Sequence, residues 1–233
     1  MTCAGGANVS GKMAGSLTPE YAASATSYKL ANFFNGSTGL KDASRLDLGD
    51  IVLADSCYKN MFYGCSNLTQ APALPATTLA SNCYNSMFYG CSNLTAAPQL
   101  PATALAGGCY NSMFYGCTKL TQAPALPATT LADYCYYYMF IKCTSLTQAP
   151  ALPATTLAGS CYMNMFEGCT SLTQAPALPA TKFANDCYTN MFFNCTKVTD
   201  LHYPASIQND STFTGMTGSP WFGATNATVK YDL

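Results

Sequence analysis

The stretch CYNSMFYGCSNLTAAPQLPATALAGG, residues 83–108, decides the fold, because residues 109–134 repeat it closely as CYNSMFYGCTKLTQAPALPATTLADY. Its Met-Phe pair recurs six times with a spacing of 26 residues, at Met61, Met87, Met113, Met139, Met165 and Met191. A fixed period of this kind is typical of a solenoid, in which each unit is too short to bury its own apolar face and stacks on its neighbours. Six copies exceed the minimum of about three that a stable stack requires.

The period also predicts how the chain is organised. The expected parts are an N-terminal cap or a linker from a larger protein (1–27), a degenerate first repeat (28–56), six repeats of which the last is partial (57–198), and a C-terminal cap (199–233). The ending ATVKYDL alternates apolar and polar residues as a half-buried strand does, so we expect it to cover the last repeat. Trp221 and Phe222 are expected to plug the open core at the same end.

One half of each unit, CYNSMFYGC, has a helical pattern. At about 100° per residue, its apolar positions fall within one arc of about 140°, which predicts a short helix with that arc facing the core. The inward residues of the first quoted copy are Cys83, Tyr84, Met87, Phe88 and Cys91. The outward residues are Asn85, Ser86, Tyr89 and Gly90.

The other half of each unit is rich in proline, as in LTQAPALPATTLA. Pro72 and its equivalents form one column, and proline donates no ladder hydrogen bond, so only a short strand near Leu68 to Gln70 is expected. An extended turn should follow, with Leu74 and Leu79 pointing to the core. The predicted fold is therefore an α/β repeat solenoid, a leucine-rich-repeat-like right-handed coil with one short strand and one short helix per 26-residue turn.

Composition excludes several classes of function. Only 9% of the residues are charged, 49% are hydrophobic and the net charge is −1. Without a basic patch to neutralise phosphates, we expect no nucleic-acid binding, and no apolar run approaches the ~20 residues of a membrane helix, so no membrane insertion is expected. The N-terminus lacks a secretion signal, so the chain is either not secreted or begins after a removed signal or inside a larger protein.

The sequence predicts no enzyme, cofactor or metal site. His202 is the single histidine, and no repeat column carries a carboxylate. Asp200 lies two residues from His202, but local hydrogen bonding explains this pair better than general-base chemistry does. Glu167, Asp133 and Asp186 are single changes in neutral columns and are interpreted as solubilising charges.

The 13 cysteines are chiefly paired as C-x7-C, once per unit. If this half is helical, the two thiols of a unit lie ~12 Å apart, too far for a disulfide, and zinc-ligand spacing is absent. The column that begins at Cys65 could stack at ~5 Å between units, which leaves bridges between neighbours possible in principle. We favour reduced thiols that pack as small apolar side chains.

The outward arc is unusually aromatic for a soluble solenoid. A row of such side chains on neighbouring turns would form an apolar patch of several hundred Å2, and patches of that size usually mark an interaction surface. The alternative is that the rings lie flat as packing. The predicted partner-binding residues are Tyr63, Tyr89, Tyr115, Tyr137, Tyr138, Ile141 and Phe193.

The phrase MFxGCxxLTxAPxLPATTLA, which starts at Met87 and Met113, resembles the BspA-like leucine-rich repeats of bacterial surface proteins and some phage tail proteins. The resemblance covers about Cys57 to Val198. It implies a cell-surface adhesion or host-interaction module without enzymatic activity.

Two classes of function remain open from the sequence. The first is a recognition module that binds a protein or glycan on a cell or host surface, located at the cell surface or secreted. The second is a structural component that packs against copies of itself, for example in a phage virion or a surface layer.

Overall fold

A computed structural model describes residues 8–12, 30–48, 53–209 and 227–233. The repeated units stack as a solenoid around one core, which extends from Phe34 to Ile207. Each unit is named below by its first cysteine, from the Cys57 unit to the Cys187 unit. Every unit contributes the same kinds of buried side chain, namely Cys, Tyr, Met, Phe and Leu.

The prediction of a helix in each unit is wrong, since the described residues contain no α-helix. The segment 80–91 is a run of overlapping turns, in which every second N–H, from Cys83 to Cys91, donates to the carbonyl three residues earlier at 3.1–3.3 Å. The N–H groups between them, from Asn82 to Gly90, donate to carbonyls of the next unit at 2.7–3.0 Å. An α-helix would place both sets of bonds inside the segment, whereas here half of them join neighbouring units.

A left-handed residue at every fourth position produces this arrangement. In the Cys83 unit these residues are Asn82, Ser86 and Gly90, with φ of 53°, 53° and 71°. Left-handed backbone interrupts a right-handed helix, and Gly and Asn adopt it at the lowest cost. The resulting period of four residues keeps i, i+4 and i+8 on one side, close to the helical period of 3.6. The predicted inward arc is therefore confirmed, and Met87 is fully buried, although the backbone is not helical.

Two columns of buried aromatic rings run through the stack. The phenylalanines from Phe34 to Phe192 stack on one another with ring centroids 5.4–5.6 Å apart and interplanar angles of 8° or less. The tyrosines from Tyr58 to Tyr188 stack at 5.7–5.9 Å. Offset aromatic pairs of this kind stabilise a fold by about 0.5–1.5 kcal/mol each beyond burial, so the columns reinforce every interface between units.

The proline-rich half contains less strand than the sequence predicts. Gln70 pairs in parallel with Asp42 and Ala96, but each pairing is a single bridge. Pro72 follows two residues later and cannot donate to a ladder, which explains why the strand does not extend. Leu74 is buried and Leu79 is half-buried, as expected.

Regular strands lie only towards the two ends of the described solenoid. Strand β1 (Asn8–Lys12) pairs in parallel with β2 (Asp42–Asp47), and β3 (Asp200–Tyr203) pairs in parallel with β4 (Thr228–Tyr231). A 3-10 turn, Ala205–Ile207, follows β3. The strand predicted in ATVKYDL is thus present, with Val229 and Tyr231 against the core, whereas Trp221 and Phe222 lie outside the described residues. Within the described ranges, no helix is long and apolar enough to cross a membrane.

The twelve cysteines from Cys57 to Cys195 are free thiols. In the column from Cys65 to Cys195, each Sγ donates to the carbonyl of the phenylalanine one unit earlier, at 2.9–3.2 Å. Burial raises the pKa of Cys83 and of Cys195 to about 12. Buried thiols of this kind stay protonated at neutral pH and are poor nucleophiles.

We predict that thiol reagents titrate all 13 cysteines in denaturant and react slowly with the cysteines from Cys65 to Cys195 in the native protein. These eleven thiols are buried, burial keeps them protonated, and only the thiolate is reactive. Recovery of far fewer than 13 thiols from unreduced, denatured protein would show disulfides and contradict the reduced columns.

Met113→Ala should lower the free energy of unfolding by about 2–4 kcal/mol, because the fully buried side chain leaves a cavity between stacked units. Tyr115→Ala removes a half-buried, outward ring and should cost only about 0.5–1.5 kcal/mol. Denaturant unfolding of the two variants measures both values, and equal losses would show that the inward and outward positions are wrongly assigned.

Candidate functional site

The turn segments present their outward side chains on one surface, called here the turn face. Tyr63, Tyr89 and Tyr115 lie there as one stack, the outer tyrosine column. Ring centroids are 4.6 Å apart for Tyr63 and Tyr89 and 4.3 Å apart for Tyr89 and Tyr115, with interplanar angles of 9° and 10°. The Lys142 ammonium lies 5.9 Å from the Tyr115 ring centroid, within cation–π range.

The outer tyrosine column differs from the broad apolar patch expected from the sequence. The three rings cover one another's faces, so the column presents mainly ring edges and hydroxyl groups. Tyr63 is 37% exposed, while Tyr89 and Tyr115 are half-buried. Partial burial, followed by the neighbouring Tyr115 and Tyr63, raises the pKa of Tyr89 to about 12. The Tyr89 hydroxyl is therefore uncharged at neutral pH and can both donate and accept hydrogen bonds.

A second group of aromatic rings, the tyrosine cluster, lies in the Cys135 unit and consists of Tyr134, Tyr137 and Tyr138. Tyr137 and Tyr138 stack with centroids 3.8 Å apart, and Tyr134 meets Tyr137 edge to face at 5.6 Å. Tyr134 is the most exposed large apolar side chain among the described residues, at 51%. Burial and the Tyr138 side chain raise the pKa of Tyr137, so this hydroxyl is also uncharged at neutral pH.

The Cys135 unit has unusual residue types at its left-handed backbone positions. Its three left-handed positions hold Tyr134, Tyr138 and Lys142, with φ of 59°, 60° and 58°. The other complete units place only Ser, Asn, Asp or Gly at these positions. Left-handed backbone costs an ordinary L-residue roughly 1–2 kcal/mol, so this unit retains three bulky side chains where smaller ones would be more stable.

The structure separates the seven predicted partner-binding residues into several groups. Tyr63, Tyr89 and Tyr115 lie together, and Tyr137 with Tyr138 forms part of the tyrosine cluster. Ile141, expected to be exposed, is only 4% exposed, although it occupies the same column as Tyr115 and is not part of the core cluster. Phe193 is 39% exposed but lies two units beyond Ile141 in the same column. The predicted row is therefore interrupted by a buried Ile141 and by the acidic Glu167.

Two residues of this surface were missed by the sequence analysis. Tyr134 was assigned to the end of the preceding repeat, and Lys142 was not distinguished from other outward residues. The signal that identifies both is a departure from the small or amide side chains of their columns. This departure can be interpreted only when the backbone at those positions is known to be left-handed.

An apolar groove runs along the proline-rich side of the coil. One part has a volume of about 750 Å3 and lies between Gln70–Pro75 and Thr95–Pro101, with no charged side chain in its lining. Smaller grooves of about 370 and 240 Å3 recur between later units. Thr69 and Gln70 line the part of about 750 Å3.

The polar groups near the C-terminus form structural pairs. His202 Nδ1 lies 2.8 Å from Asp232 Oδ1, and Lys230 Nζ lies 3.0 Å from Asp200 Oδ1. The hydrogen bond from Lys230 lowers the pKa of Asp200. The four residues belong to the paired strands β3 and β4 or follow them directly, so they tie the two strands together. Within the described ranges, no group of His, Cys, Asp and Glu side chains is arranged to hold a metal ion.

Comparison with protein families matches the chain to the BspA type leucine rich repeat region, in six copies over residues 45–157 and 109–217. This confirms the resemblance found in the sequence. Repeat regions of this family indicate a surface or protein-interaction module. No curated protein and no solved structure matches the chain.

Proposed function

The chain belongs to the BspA-type leucine-rich repeat family, and on that premise we propose that it is a non-enzymatic recognition or adhesion module. The binding surface in this proposal is the turn face, from the outer tyrosine column to the tyrosine cluster. Its partner is a protein or glycan on a cell or host surface. The protein would act at the cell surface or after secretion.

The observation that carries the proposal is the backbone of the Cys135 unit. Tyr134, Tyr138 and Lys142 occupy left-handed positions that glycine or asparagine would fill at lower cost. Unfavourable backbone conformations cluster at functional sites, where the side chain contributes something other than stability. Here the side chains are two exposed or half-exposed tyrosines and a lysine, which are suited to recognition.

The chemistry of the turn face fits an uncharged partner surface with an occasional anionic group. Tyrosine offers large, rigid contact area together with a hydroxyl group, and asparagine and serine add adaptable hydrogen bonds. Lys142 is exposed, and the ion pairs of the described residues do not include it. Its ammonium group is therefore available to a carboxylate or hydroxyl of a partner.

We predict that the triple variant Tyr134→Asn, Tyr138→Asn, Lys142→Gly loses partner binding without losing stability. The three changes restore residue types that the other units use, so the free energy of unfolding should stay the same or rise by about 1–2 kcal/mol. Immobilised wild type and variant would be incubated in parallel with surface extracts from cells that share the habitat of the source organism. Retained proteins and glycans would be identified by mass spectrometry, and unfolding measured by thermal melting.

Lys182→Thr is the matched control, because it also replaces an exposed lysine by the usual residue of its column. A partner held by wild type and by this control, but not by the triple variant, supports the proposal. Equal retention by all three proteins would contradict it and direct attention to the proline-rich groove. The alternative function, a self-assembling structural component such as a virion subunit, predicts instead concentration-dependent oligomers in sedimentation that the triple variant abolishes.

A further inference from the structure

The outer tyrosine column brings three phenol rings into contact at a solvent-accessible surface. Successive rings are nearly parallel, with centroids 4.6 and 4.3 Å apart. Each ring belongs to a different unit, so the contacts join parts of the chain that are 26 residues apart. This geometry has a chemical consequence that does not depend on the proposed function.

We propose that the outer tyrosine column is a site of oxidative cross-linking, at which Tyr89 becomes joined to Tyr63 or Tyr115 by a carbon–carbon bond. The co-reactant is a one-electron oxidant of the peroxidase class supplied with hydrogen peroxide. The product is a dityrosine that covalently links two neighbouring units.

The coupling transfers two electrons from two tyrosines to one hydrogen peroxide. The oxidant removes one electron from each of two tyrosines, and each phenol releases its hydroxyl proton to water, which leaves two phenoxyl radicals. The radicals pair to form one bond between ring carbons next to the hydroxyl-bearing carbons. The hydrogen on each of those carbons then moves to the oxygen and restores the phenol. Two tyrosines and one hydrogen peroxide give one dityrosine and two water molecules.

The oxidisable side chains of the core are shielded from solvent. The inner tyrosines, from Tyr58 to Tyr188, are also stacked, but they are at most 2% exposed and their centroids are 5.7–5.9 Å apart. The core methionines from Met61 to Met191 are fully buried. The cysteines beyond Cys57 are buried as well. A bulky oxidant acting from solvent therefore reaches the turn-face tyrosines before the tyrosines and thiols of the core.

Proximity then determines which tyrosines couple. A radical on Tyr89 has a reactive partner in contact on each side, and holding reactants in contact converts a bimolecular step into an effectively unimolecular one. Exposed rings can also turn out of the stack to form the twisted product. The link would hold adjacent units together in a protein whose described cysteines form no disulfide.

The sequence allows a direct test, because cyanogen bromide cleaves after methionine. Cleavage after Met61, Met87, Met113 and Met139 places Tyr63, Tyr89 and Tyr115 in the separate fragments 62–87, 88–113 and 114–139. Dilute native protein would be treated with peroxidase and hydrogen peroxide, cleaved, and analysed by mass spectrometry and dityrosine fluorescence. We expect linked pairs of adjacent fragments, each two hydrogen masses lighter than the sum, from protein that remains monomeric on a denaturing gel.

Single substitutions separate Tyr63 and Tyr89 from the other tyrosines of fragments 62–87 and 88–113. Tyr89→Phe should lose both linked pairs, whereas Tyr63→Phe should lose only the pair 62–87 with 88–113. Tyr84→Phe, the inner-column control in the same fragment as Tyr63, should keep both pairs. Melting curves establish that each variant is folded, and the Tyr63→Phe pattern is diagnostic even if Tyr89→Phe does not fold.

Three results would overturn the proposal. The first is the absence of linked fragments from oxidised wild type. The second is equal yields from Tyr89→Phe and wild type. The third is an equal yield from wild type oxidised in denaturant, which would show that the folded column does not direct the coupling.

Discussion

The hydrogen bonds that join each turn segment to the next unit are the interaction on which the rest of the structure depends. Every second N–H of the segment is used inside the unit, and the others, such as those of Tyr84, Ser86 and Phe88, donate to the neighbouring unit. Buried N–H and C=O groups must be paired. A single unit cannot pair half of the backbone N–H groups of its own turn segment. The turn segments are therefore fully hydrogen-bonded only when units stack, and the core forms with the stack.

This ladder of hydrogen bonds between turn segments also determines where side chains point. Neighbouring backbones are held in one register, so identical residues stack on identical residues, which produces the two buried aromatic columns and the outer tyrosine column. The same register places the Cys91 thiol against the Phe62 carbonyl, to which the protonated sulfur donates a hydrogen bond inside the core. On the turn face, the register places the unusual side chains of the Cys135 unit among regular neighbours, where they form part of the proposed recognition surface.

The sequence predicts the solenoid, its period and its buried positions, because apolar side chains at i, i+4 and i+8 face inward in a helix and in this turn segment alike. The apolar pattern alone does not distinguish an α-helix from the turn segment. The distinguishing signal was Asn82, Ser86 and Gly90, residue types favoured in turns and spaced by four. The outward tyrosines could be located from the sequence, but their mutual stacking could not, because ring orientation depends on the spacing of the units. Tyr134 and Lys142 could be recognised only after the left-handed columns were seen.

The most direct test of the ladder is NMR measurement of scalar couplings across hydrogen bonds, from amide nitrogen to carbonyl carbon, in isotopically labelled protein. The structure predicts couplings from Tyr84 N to the Cys109 carbonyl carbon and from Phe88 N to the Met113 carbonyl carbon, which lie 25 residues further along the chain. An α-helix would instead couple each nitrogen to the residue four positions earlier, Ala80 and Tyr84. Detection of those local couplings, with none between units, would contradict the account.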